Sequence, residues 1–125
     1  MSDSLEEFFT FYATCYSEGD LQTLASLCVT PFFAVRRGQV IVMPDDGDVL
    51  SLFAGAIDAY RRASKARIWQ LQSLEAKELG EYSAFATAHW NAIDDEGNVV
   101  RDTSTSYQLL STPDGWRLLS YTNHF

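Results

Sequence analysis

Apolar residues recur at helical spacing through the first half of the chain and at alternate positions through the second. Leu5, Phe8, Phe9, Tyr12 and Tyr16 make one aromatic face of a helix. Ser4-Leu5-Glu6-Glu7 has the capping-box form, in which the serine and the glutamate satisfy each other's orphan backbone amides. Gly19 can supply a left-handed C-cap, and Asp20 can cap a short second helix carrying Leu21, Leu24 and Leu27, stopped by Pro31. Residues 32–37 and 40–43 read as a small hairpin around Gly38 and Gln39. A third helix is expected behind Asp48 as its cap, with Val49, Leu52, Phe53, Ala56, Ile57 and Tyr60 as its apolar stripe.

From Arg67 onward the period changes to that of strands. Residues 68–79, 82–93, 99–110 and 116–123 give four long strands, punctuated by Gly80, by 94–98 and by Pro113-Asp114-Gly115. The short connections imply antiparallel hairpins, because a parallel crossover needs a dozen or more linking residues. Helices first and a meander after is an α+β layout, expected here as one domain over residues 1–125.

This order of elements, with Asp114-Gly115-Trp116-Arg117-Leu118 entering the last strand, resembles the nuclear-transport-factor-2-like superfamily, especially its SnoaL-like and ketosteroid-isomerase-like bacterial members. The resemblance covers nearly all of the chain. It implies a cone in which three N-terminal helices pack on a strongly curved, mainly antiparallel sheet, a small hairpin plus a four-stranded meander, with a pocket at the open end. It also implies a small-molecule ligand and a homodimer formed through the outer face of the sheet.

Composition narrows the classes. The chain is 46% hydrophobic and 14% aromatic, enough for a packed core. Nine Lys and Arg against seventeen Asp and Glu leave a net charge of -8, a field that repels phosphate backbones, so no nucleic-acid partner is expected. Two basic groups stand out locally, Arg36-Arg37 and Arg61, Arg62, Lys65 and Arg67; the second suits the C-terminal end of a helix dipole. No apolar run approaches the ~20 residues of a membrane span, and the acidic start lacks the form of a signal peptide, so a cytoplasmic protein is expected. Cys15 and Cys28 lie among apolar residues of the expected helices and read as free thiols. There is no phosphate-binding glycine loop, HExxH or GxSxG, and His89 and His124 have no ligand-spaced neighbours. Neither a metal nor a cofactor is expected.

The chemistry centres on Ala88 to Tyr107, where polar residues fall at strand spacing. With a five-residue turn pairing Ile93 with Val99, Asn91 faces Arg101, His89 faces Thr103, Thr87 faces Thr105 and Phe85 faces Tyr107. One face then carries a hydrogen-bonding stripe suited to a pocket wall. The other carries Ala84, Ala86, Ala88, Trp90 and Ala92, a flat patch on which Trp90 could anchor the homodimer. His89 is the candidate base and Tyr107 the candidate donor to a carbonyl or enolate oxygen. Tyr12, Tyr16, Trp69, Asn91 and Arg101 are the expected ligand-binding residues, with Arg101 able to hold a carboxylate bidentately. An isomerase-like mechanism also wants a carboxylate base; Asp58 lies on the third helix and Asp102 points away from the stripe in this register. Two functions stay open: proton transfer on a small apolar carbonyl or carboxylate compound, and ligand binding or dimerisation without catalysis.

Overall fold

The computed structural model describes residues 4–124, so the acidic start at 1–3 and the last residue of the expected 1–125 domain lie outside the described residues. Helix α1 (Leu5–Glu18) begins with the capping box: Glu7 N–H donates to Ser4 Oγ at 3.0 Å and Ser4 N–H donates to Glu7 Oε1 at 3.1 Å. Gly19 closes it at φ 70°, a conformation that costs a glycine nothing. Asp20 caps α2 (Leu21–Ser26). That helix stops at Ser26, and Cys28 opens strand β1 (Cys28–Arg36) rather than closing a helix. The reason is long-range: Leu27 C=O accepts from Leu118 N–H at 2.8 Å, and Cys28 pairs in parallel with Leu118 of the last strand. Pro31, expected to end the helix, sits inside the strand with a cis Thr30–Pro31 bond.

β2 (Gln39–Met43) returns antiparallel, Arg36 opposite Gln39. The two turn residues are therefore Arg37 and Gly38, at φ 51° and 78°, the signature of the hairpin turn whose twist matches the strands. Helix α3 (Asp46–Ser64) is capped by Asp45, whose Oδ1 accepts from Asp48 N–H at 3.0 Å. Asp48 thus lies inside the first turn, where its charge and that of Asp46 face the positive end of the helix dipole.

β3 (Ile68–Leu79), β4 (Ser83–Ile93), β5 (Val99–Thr112) and β6 (Gly115–Asn123) form the meander, and β1 joins it through β6. The result is one six-stranded sheet in the order β2-β1-β6-β5-β4-β3, antiparallel except for β1 against β6. Three helices packed on this curved sheet give the α+β cone. Each antiparallel pairing within the meander shifts register once, and such bulges add twist and bend to the strands.

One of these bulges changes the reading of the polar stripe. Ile93 does pair with Val99, but Val100 is left unpaired and Ala92 pairs with Arg101. Every later pair slips by one, so His89 faces Ser104 and Trp90 faces Thr103. Because side chains alternate faces, the slip turns β4 over relative to β5. Ala84, Ala86, Ala88, Trp90 and Ala92 are buried on the concave side, and His89 and Asn91 stand on the outer face. The pocket position expected for those two residues is therefore corrected. So is the role of Trp90 as an outer anchor: it is 4% exposed and packs inside.

The small side chains have a packing cause. The ring of Phe9 from α1 lies 4.8 Å from Tyr107 and 6.5 Å from Trp90, and alanines on β4 make the room these rings need. Cys15 and Cys28 are both free and buried. No helix among the described residues is long and apolar enough to cross a membrane.

Candidate ligand-binding cavity

Helix α3, the tyrosines of α1 and the concave side of the sheet enclose a cavity of about 620 Å³. The size falls within the range of small-molecule sites. Five of the residues expected to serve a site are brought together in its wall: Tyr12, Tyr16, Trp69, Arg101 and Tyr107. His89 and Asn91 are not among them.

α1 contributes Tyr12 and Tyr16 one turn apart, edge-on to Phe53 of α3 at 6.2 and 6.1 Å. Trp69 closes one side, 5.6 Å from Tyr16 and 5.1 Å from Tyr60. β5 supplies the polar wall. Its inward residues Arg101, Thr103, Thr105 and Tyr107 keep the alternation that the sequence shows. The polar stripe is thus half cavity wall, on β5, and half outer surface, on β4.

At the floor, Trp90 Nε1–H donates to Tyr107 Oη at 3.1 Å, and both residues are buried. Thr105 Oγ1 donates to Asn123 Oδ1 at 3.2 Å. Burial pushes the Tyr107 phenol well above the usual tyrosine range, and hydrogen bonds with Trp90, Thr105 and Tyr12 only partly offset it. Burial, helped by neighbouring phenols, does the same at Tyr12 and Tyr16, and Tyr121 is pushed up to about 12, mainly by burial. These hydroxyls stay protonated at neutral pH. They offer hydrogen bonds without charge.

Charge enters only at the rim. Arg36, Arg37 and Arg101 line the cavity, whereas no Asp, Glu or His among the described residues does. The Arg101 guanidinium carbon rests 4.8 Å from the centre of the Tyr60 ring, a cation–π contact, and its buried Nε has no acceptor among the described residues. A planar cation held on a ring with donors to spare is ready for a carboxylate.

The outer-face residues find partners of their own. His89 Nδ1 lies 2.9 Å from Ser104 Oγ and Nε2 lies 2.5 Å from Asp102 Oδ1. The order acid, imidazole, hydroxyl is that of a hydrolytic triad, yet none of the three lines the cavity and the histidine side chain is 40% exposed. Asp58 is also exposed, paired with Arg62 at 2.7 Å one helical turn away. The acidic turn at 94–98 is closed by Asp94 Oδ1, which accepts from Glu96 and Asn98 N–H at 2.9 Å each. No group of three or more metal-ligating side chains occurs among the described residues.

Four cavity residues of consequence are not singled out as site residues by the sequence: Trp90, Tyr60, Arg36 and Arg37. The basic pair is visible there but has no location. Only the parallel pairing of β1 with β6 brings it beside the cavity. Tyr60 falls in what reads as a core stripe, and Trp90 is hidden by the single bulged residue.

A family model described as NTF2-like protein (DUF6841) matches residues 2–125. No curated protein matches the chain by sequence. Similar solved structures include an NTF2-like protein with a cystatin-like fold from Novosphingobium aromaticivorans, 20% identical, TM-score 0.73, covering 94% of this chain and 76% of that one. A cystatin-like protein of unknown function from Nostoc punctiforme is 9% identical with a TM-score of 0.74, covering 98% and 93%. The Aln2 protein of a Streptomyces species is 16% identical with a TM-score of 0.70, covering 99% and 94%.

Proposed function

Since the chain belongs to the NTF2-like DUF6841 family, we propose that it uses the cone's cavity to bind one small, ring-bearing compound with a carbonyl or carboxylate group. The observation that carries this reading is the composition of the wall: aromatic rings, neutral phenols and arginines, with no carboxylate or histidine among the described lining residues. Neutral phenols donate to an oxygen, and arginine holds an acid, so recognition is provided for. Proton abstraction is not, because a general base must come within hydrogen-bond reach of its proton and His89 is on the other side of the sheet. Binding without turnover is therefore favoured over the isomerase, cyclase or lyase chemistry that the resemblance suggests.

A thermal-shift screen against aromatic acids and cyclic ketones tests it. A ligand at about 100 times its dissociation constant should add roughly 2.7 kcal/mol to the stability of the native state. Ala56 lines the cavity from α3, so Ala56→Trp should fill the space and abolish the shift. A shift that survives that substitution, or none across the panel with wild type, would sink the proposal.

A further inference from the structure

The cavity has a direction. Arg101, Thr103, Thr105 and Tyr107 face into it at alternate positions of β5, and burial deepens along the series from half-buried Arg101 to Tyr107, 3% exposed. Six residue steps at ~3.3 Å separate its ends by about 20 Å of strand. Arg36 and Arg37 are exposed and lie outward of Tyr107, on the side toward Arg101, with Arg36 level with Thr105. Val35 pairs with Thr122 and Asn123 pairs with Thr105, so β1 reaches its arginines where β5 runs outward toward Arg101. The cationic groups thus gather at one pole. The Trp90, Tyr107 and Tyr12 cluster, without a charge, is the other.

These poles set different terms. An anion at the floor would lose its water and meet only neutral donors, a cost of several kcal/mol for an unpaired buried charge. At the rim it meets three guanidiniums, one already seated on Tyr60 with a buried Nε lacking an acceptor among the described residues. An uncharged oxygen has the opposite preference. At the floor it can exchange hydrogen bonds with Tyr12 and Tyr107, and there it loses little solvation.

We propose that the ligand is a bipolar ring compound bound end-on, its carboxylate at the rim on Arg101 beside Arg36 and Arg37, and an uncharged hydroxyl or carbonyl oxygen at the floor among Tyr12 and Tyr107. This rests on the binding reading above and adds the ligand's charge, its second polar group and its orientation. The rings along the wall, from Trp69 beside Tyr60 through Tyr16 and Phe53 to Tyr121 opposite Tyr107, hold an aromatic or alicyclic body.

The test uses three probes matched in shape: para-(para-hydroxyphenyl)benzoate, its carboxamide, and para-phenylbenzoate. Their affinities are measured by titration calorimetry with wild type, Arg101→Gln and His89→Ala. The hydroxylated carboxylate should bind wild type about tenfold or more tighter than the carboxamide, the ratio expected of one charge-assisted pair. That ratio should collapse toward unity in Arg101→Gln, whose thermal midpoint without ligand controls for folding. It should persist in His89→Ala, and para-phenylbenzoate should bind several-fold more weakly than its hydroxylated counterpart. A carboxamide that binds wild type as well as the carboxylate overturns the orientation and leaves the binding reading standing. Equal affinity of the two carboxylates overturns the floor contact. No binding by any probe overturns both the inference and the reading beneath it.

Discussion

The hydroxyl of Tyr107 serves two structures at once, the cavity floor and the core. It accepts the indole proton of Trp90 where both residues are buried, and Phe9 packs 4.8 Å from its ring. Removing a hydrogen-bond partner inside a protein costs more than the bond's net contribution, because the group left behind stays desolvated. Tyr107→Phe keeps the ring and orphans the indole. It should lower stability by about 1–3 kcal/mol, read as a lower urea midpoint at unchanged slope; no change in midpoint would mean that Trp90 has another acceptor. His89 offers the contrast. Its bonds to Ser104 and Asp102 lie on a wet surface, where such pairs contribute about 0–1 kcal/mol. His89→Ala should therefore leave ligand affinity unchanged and stability nearly so. A loss of binding in that variant would place the histidine in the cavity, against the register that the Val100 bulge sets.

At the scale of elements, what can be read from the sequence is whatever local chemistry decides. The capping box of α1, the Gly19 stop, the third strand's bounds and the alternation of β5 all follow from neighbours a few residues apart. What fails is decided at a distance. Cys28 joins a strand because β6, ninety residues on, pairs with it, and one unpaired Val100 reverses β4. An alternating pattern shows that two faces exist; it does not say which faces the helices. The alanines are the better guide to that, since large rings on a helix need small residues opposite. The β1–β2 turn shows a further tension. Arg37 holds a left-handed φ of 51° before Gly38, a conformation that costs a non-glycine residue about 1 kcal/mol or more. Arg37→Asn would give the Asn-Gly pair that this turn type prefers. It should raise stability by about 0.5–1 kcal/mol in urea unfolding while weakening the preference for a carboxylate ligand. Gain of stability with unaltered preference would remove Arg37 from the rim.

For the molecule as a whole, the same burial that keeps the cavity's phenols neutral ties its stability to alkaline pH. Tyrosine ionises near 10 in an unfolded chain, whereas in the folded protein Tyr121 waits until about 12, and Tyr12, Tyr16 and Tyr107 are also raised. Below pH 10 both states hold these protons, so the phenols add no pH dependence there. Above it the unfolded chain releases them first, and unfolding is favoured as pH rises. Each phenol with a raised value lowers the free energy of unfolding by about 1.4 kcal/mol per pH unit in that window. Several of them acting together should make the loss between pH 10 and 12 steep. Urea midpoints measured across pH 8 to 12 should begin to fall above about pH 9, where the buried Cys15 and Cys28 thiols, also raised, lose protons first in the unfolded chain. They should fall more steeply above about pH 10, and tyrosinate absorbance should appear together with the loss of fold. A native protein that titrates its buried tyrosines near pH 10 while still folded would show that water reaches the cavity floor. That outcome would also weaken the case for an uncharged oxygen there, since a hydrated floor could hold a charged group at far smaller cost.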